Sequence, residues 1–440
     1  MIEPILWREI DIPSEFCTTE RVNHRTVTFG GDIRVGDLCN SKHADFLVYR
    51  SVDNAHDEGG MKPCFMGAFT AKGEPIWRVG GNGTQPSRPG PVAIHDIDGD
   101  GRSEVICFWY EGHVDAPPTS MANVVLQIRD GATGRVKKEA RPAPLRLSRG
   151  EGPNWVHQRL LITNLQGLEE PRDFIVKLGA KVLAFNSSLD ILWEYESPWT
   201  QYGQCPAYIP AVGDIDGDGR DEVNGGYFLL DHDGEVLWEK KLAPHTDSVA
   251  ILPWDNGRMR AVCSGHGHVL DANGNVVLKL GGDLVPHGQE VRVGRFRSDT
   301  DHPQMVIRFN GHSTAVRVVD VEGTILKQLD LNPSPNNTGM EVVRWNGKEG
   351  PDVLYNGGML WDPLSGKGVP LPGLPQPKAI GRMDWYHCIP ADVCGDQHEE
   401  VVLYNPWMAK VYIYTQADND TRAPHTFTPG PRQYNPRLMD

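Results

Sequence analysis

Apolar residues along this chain come in short alternating bursts, cut by Gly, Asp, Asn and Pro, and never run far enough to suggest a long helix. One phrase recurs: an apolar strand ending near a polar residue, a turn, then a more strongly apolar strand. PVAIHDIDGDGRSEVICFW (91–109) and IPAVGDIDGDGRDEVNGGYF (209–228) are the clearest copies. Fainter ones lie at 32–50, 157–178, 249–265, 290–309, 340–356 and 389–404, making eight. After most copies comes a second phrase, a Gly or Asp turn followed by a strand such as ILWEYE (191–196) or VLWEK (236–240). Together they give roughly four short strands per unit, recurring every roughly 40–70 residues, the range of propeller blades. The last unit ends at VYIYTQ (411–416) with no outer strand of its own, whereas the chain opens with one, Ile5-Leu-Trp-Arg-Glu-Ile10. The pattern predicts an all-β fold: a single β-propeller of eight blades, with seven as the alternative, closed by the N-terminal strand so that no sheet edge is left open. Residues 1–440 are read as one propeller domain, with 1–28 the closing strand and lead-in, 29–415 the blades and 416–440 a tail.

Two turns carry more than a turn requires. Asp96-x-Asp98-x-Asp100-Gly-Arg102-x-Glu104 and Asp214-x-Asp216-x-Asp218-Gly-Arg220-x-Glu222 place oxygen donors at positions 1, 3, 5 and 9. The backbone carbonyls of Arg102 and Arg220 stand at position 7. Such a set can wrap one hard cation, and calcium suits it better than magnesium, which keeps its waters. An Asp/Gly hairpin satisfied by its own backbone is the plainer alternative. The matching turn of the last unit, Asp392, Asp396 and Glu400, has Cys394 in one ligand slot and is a weaker third candidate.

Charge narrows the partners. With 58 acidic against 43 basic residues the net charge is −15, which opposes binding to a nucleic-acid backbone. No apolar stretch reaches the ~18 residues of a membrane span. The start of the chain lacks the basic and apolar regions of a signal peptide, so a cytoplasmic location is expected, with a mature secreted form as the alternative. The eight cysteines show no metal-type pairing.

Residues entering the first strand of each unit, and those leaving the second, should gather at one mouth of a propeller. These positions are rich in polar and aromatic side chains. Entries include Trp155, His157, Tyr208, His245, Asp247, His287, Gln289, Trp385, Tyr386 and His387. Exits include His266, His268, Arg308, Asn310 and His312. A lone histidine is usually a satisfied core residue. Histidines at matching places in successive repeats point instead to a pocket, either for chemistry or for a transition metal.

The DIDGDGR(S/D)E loops, the phrases HGQEVRVGRF and VVRW, and the ending EEVVLYNPWMAKVYIYT…YNPRLMD together resemble family 11 polysaccharide lyases over roughly residues 30–440. Loops of this type also occur in integrin FG-GAP repeats. The resemblance implies an eight-bladed calcium-binding propeller, expected to be monomeric, that cleaves an acidic, rhamnose-rich glycan of rhamnogalacturonan type by β-elimination. A rhamnose–glucuronate glycan of ulvan or gum type is the alternative substrate. Elimination removes the proton α to a uronate carboxylate and protonates the departing oxygen. His245, His287 and His387 are candidates for the base and the carboxylate-binding group, Arg308 for neutralising the carboxylate, and Tyr208 or Tyr386 for the acid. His157, Gln289, Asn310, His312, His266, His268, Trp155 and Trp385 are candidates for holding the sugar chain. A glycan-binding propeller without chemistry, or a hydrolase using Asp247 and Glu290, are the competing readings.

Overall fold

In a computed structural model of the chain, the described residues are 1–22, 24–52, 62–84, 90–112, 123–146, 159–199, 207, 209–332, 339–377, 385–419 and 426–435. They form eight four-stranded antiparallel sheets, the blades, in chain order. Blades 1 to 7 span 32–80, 92–140, 159–196, 211–239, 249–279, 290–330 and 341–370. Blade 8 takes three strands from 387–416 and its outermost strand from Pro4–Asp11. That strand pairs antiparallel with Lys410–Gln416, from Pro4 opposite Gln416 to Asp11 opposite Lys410. The eight-bladed, N-terminally closed ring expected from the repeats is therefore the one observed.

The burial pattern follows from the ring. Each sheet packs face to face on two neighbours, so second strands are buried on both sides and read as unbroken apolar runs. Asp45–Ser51 is buried at every position, as is Glu400–Tyr404. Outermost strands meet solvent and alternate, as Pro75–Gly80 does. In blades 1 to 6 the outermost strand bulges at one matching place, skipping Ile76, Lys137, Leu192, Leu237, Val277 and Leu326 in the pairing. A bulge of this kind adds twist where a blade reaches the rim.

Two segments lie outside the blades. The lead-in forms a hairpin, Thr18–Val22 with Arg25–Phe29, whose Val22, Val27 and Phe29 cover Trp407. Trp407 is thus a packing residue, met edge-on by Phe29. The tail crosses the end of the ring that carries the turns between first and second strands. There Thr428 bridges to Asp392, Arg432 grips Asp221 of blade 4, and Asn435 exchanges two hydrogen bonds with the backbone of Ile162 in blade 3. Among the described residues no helix is long and apolar enough to cross a membrane.

Candidate active site

The first strands of blades 5 and 6 begin at the mouth opposite the tail, and the segments leading into them carry His245 and His287. Backbone contacts bring these segments together. Gly288 N–H donates to the Gly265 carbonyl at 2.9 Å. A Cβ at Gly288 would lie 1.9 Å from the Ser264 carbonyl oxygen, so only glycine permits this approach. The Ser264 hydroxyl accepts the N–H groups of Asp247 and Ser248, fixing the other segment to the same turn.

The result is one carboxylate shared by two imidazoles. Asp247 is 1% exposed. Its Oδ1 meets His245 Nε2 in a short contact, and its Oδ2 lies 3.2 Å from His287 Nε2. The rings are 5.3 Å apart. A buried carboxylate needs such partners, and it acts differently on each. Burial lowers the His245 pKa, outweighing the nearby Asp247. The hydrogen bond to Asp247 raises that of the more exposed His287, against a smaller effect of burial. One histidine thus stays neutral to lower pH than usual while its neighbour holds a proton to higher pH. Their ligand atoms and that of Asp247 also lie within 4.8 Å of one another, close enough to share a divalent ion.

The acidic loops sit at the other end. In six blades the first residue of the second strand (Asp45, Glu104, Asp173, Glu222, Gln304 or Glu400) turns back and accepts a backbone N–H of its own loop. Gln304 shows that closing the loop does not itself require charge. Asp96 and Asp214 then accept two or three amides each from the turn, including those of Gly101 and Gly219. Those glycines have φ of +85° and +87°, a conformation that favours glycine. Asp100 and Asp218 accept the N–H groups of Arg102 and Arg220. The remaining oxygen of the closing glutamate differs among the three loops. Lys137 Nζ lies 2.8 Å from Glu104 Oε1, 2.7 Å from Asp98 and 3.4 Å from Asp100. Thr415 donates to Glu400 Oε1 at 3.0 Å. Glu222 Oε1 is buried with no hydrogen-bond partner. Burial, with Asp216, Asp231 and Asp214 nearby, pushes the Glu222 pKa up to about 8. Beside it, His232 Nδ1 is 2.7 Å from Asp231, and His232 Nε2 is 2.6 Å from an Arg220 nitrogen. These donor sets fit a hard cation, and Glu222, Asp231 and His232 are close enough to share one.

No family model matches the chain. Two curated proteins of Bacillus subtilis do, the rhamnogalacturonan endolyase YesW, 24% identical over 266 residues, and the exolyase YesX, 24% identical over 265. Each match takes in 52% of this chain and 42% of the relative, so the chain aligns with less than half the length of either. Among solved structures, the Bacillus licheniformis rhamnogalacturonan lyase PL11 superposes with a TM-score of 0.69 at 18% identity, covering 95% of this chain and 77% of that one. The chain resembles the rhamnogalacturonan lyases. The likeness in fold runs over 95% of this chain.

In this lyase-like ring the candidate residues fall into three groups. His245 and His287 meet at Asp247, with Gln289 half-buried and Asn310 and His312 exposed nearby in the chain. Asn310 bridges directly to His287. His266 and His268 stack on the blade 5 turn. His268 is buried, and burial together with Lys279 lowers its pKa to about 4. Arg308, His387 and Tyr386 are not brought to this cluster and show 0%, 0% and 1% exposure. Arg308 faces Glu290 and the Ser313 carbonyl, His387 stacks on Tyr404, and the Tyr386 hydroxyl meets the Met408 sulfur. Trp385 is half-buried. Trp155, His157 and Tyr208 lie outside the described residues. Sequence reasoning missed Lys137, Thr415, Asp231 and His232. The signal for Lys137 was present: where other units read ILWE or VLWE, unit 2 reads VKKE.

Proposed function

We propose that this chain is a polysaccharide lyase that cleaves a uronate-containing, rhamnose-rich glycan of rhamnogalacturonan type by β-elimination at the mouth holding His245, Asp247 and His287. The observation carrying this reading is the buried Asp247 carboxylate shared by two histidines with oppositely shifted pKa values. The likeness to rhamnogalacturonan lyases supplies the substrate class.

Asp247 accepts Nε2–H from each ring, which leaves the lone pair of a neutral ring on Nδ1, as in other His–carboxylate pairs. His245, kept neutral by burial, removes the proton α to the uronate carboxylate. The C–H electrons form the carbon–carbon double bond as the bond from the β-carbon to the glycosidic oxygen breaks. The proton taken by His245 passes to the departing oxygen, so the step balances without another acid. His287, protonated beside Asp247, faces the uronate carboxylate and makes its α-proton removable. Gln289 and Asn310 supply hydrogen bonds to the sugar. Arg308 fixes Glu290 behind this surface and serves as a positioning residue. At the opposite face calcium held at the acidic-loop end would stabilise the fold by binding the native state alone.

The test is ultraviolet absorbance of the unsaturated uronate product when the protein is incubated with rhamnogalacturonan and with ulvan-type glycans. New reducing ends without that absorbance would mean hydrolysis, and retention of the glycan with neither would mean a binding propeller; each result removes the lyase assignment.

A further inference from the structure

The two DIDGDGR loops are nearly identical in sequence, yet their surroundings differ at one place in the fold. In blades 1 to 6 the outermost strand bulges at the matching place, and the skipped residue is Lys137 in blade 2 and Leu237 in blade 4. In blades 1, 3, 5 and 6 that residue is Ile76, Leu192, Val277 and Leu326. Blade 2 alone among these six places a cation there. Its ammonium touches Asp98, Asp100 and Glu104, the carboxylates a bound ion would gather.

We infer that Lys137 is the built-in cation of the blade 2 loop, and that only the blade 4 loop takes up calcium. This rests on reading the loops as calcium sites. Three carboxylate acceptors around one ammonium match the three N–H bonds it can give, and a divalent ion brought beside it would meet a like charge. Blade 4 offers the reverse. Blade 2 sets Asp130 opposite Glu104 as blade 4 sets Asp231 opposite Glu222, but Leu237 supplies no charge where Lys137 does. Glu222 is fully buried, and its Oε1 has no partner. Two adjacent carboxylates with a buried oxygen unmatched call for an ion. Blade 8 solves the same problem a third way: Thr415 stands where Asp231 does and donates its hydroxyl to Glu400.

The experiment is calcium titration calorimetry on the full chain after chelator treatment, with melting curves in parallel. The parent is expected to take up about one ion, Lys137→Leu about two, and Leu237→Lys about none, with loops of this class binding in the ~10⁻⁴–10⁻³ M range. Asp216→Asn should abolish the parent's uptake and Asp98→Asn should leave it unchanged. Reduced uptake in Asp98→Asn, or no extra ion in Lys137→Leu, overturns the assignment. Absence of uptake in both the parent and Lys137→Leu removes instead the calcium reading itself. Leu237→Lys tests the idea without touching blade 2, should Lys137→Leu fold poorly.

Discussion

At one mouth of the propeller a buried carboxylate, Asp247, carries two histidines; at the other, buried carboxylates of the same chemistry carry backbone amides. Glu104, Glu222 and Glu400 each close their own turn, and Asp221 anchors the tail. The difference lies in what the partners can do. A backbone amide cannot titrate, so the oxygens that accept amides fix the turn. An imidazole can take or give a proton near neutral pH, so a carboxylate facing imidazoles tunes chemistry. One end of the ring is braced by backbone amides, and the other holds groups that can exchange protons near neutral pH.

Three changes should separate the ends. The largest effect is expected from His245→Ala, which should cut lyase turnover by ~10²–10⁴-fold, the usual worth of a positioned acid–base group. Its circular dichroism should stay near the parent's, while loss of one partner of the buried Asp247 should cost about 1–3 kcal/mol of stability. A folded variant with parent turnover would end the assignment of His245 as base. Next, Arg432→Ala removes a two-pronged contact to Asp221, which is 1% exposed. Asp221 keeps Asn164 N–H and the Thr163 hydroxyl, so about 1–3 kcal/mol of stability should be lost, read from denaturant melts, with turnover per folded molecule unchanged. An activity loss in the folded variant would show that the two ends are coupled.

The smallest effect is expected from pH. Activity should fall on the acid side as His245 is protonated, at a pH below the usual histidine range, since its pKa is lowered. It should fall on the alkaline side as His287 loses its proton, at a pH above that range. His287→Gln should erase the alkaline limb and keep the acid one. Stability follows the same sign. The His287–Asp247 pair stabilises fully below the unfolded histidine pKa of about 6.5 and is lost as pH rises through the higher folded value. A pH–rate profile unchanged in His287→Gln would place the alkaline limb elsewhere.

Much of this architecture was legible in the chain. The repeat gave eight units because each blade restates the same alternation, and the missing outer strand of the last unit matched the extra one at Ile5–Ile10. His245 and His287 could be paired because they stand at the same point of adjacent repeats. What stayed hidden depends on cross-strand neighbours. Arg308 was expected in the mouth from its place after a strand, yet it pairs directly with Glu290, and each satisfies the other below the surface. Tyr386 likewise fills the core between blades 7 and 8, and His387 stacks on Tyr404 on the face toward blade 1, where position in the repeat says nothing of depth. Lys137 touches Asp98 only because a bulge brings a strand more than thirty positions away against the loop. Periodicity shows which residues face inward but not what they meet.

The pairing of Pro4 with Gln416 and Asp11 with Lys410 also fixes how the ring responds to force. A load drawn outward through Pro4 and Gln416 acts on the same end of the two strands, so their hydrogen bonds would break one after another, as in a zipper, rather than all together in shear. Tension transmitted past residue 416 must first free Asn435 from Ile162 and Arg432 from Asp221. The molecule has a mechanical fuse at its tail and a seam at its closing blade, and under load it would open there while the other seven blades stayed folded.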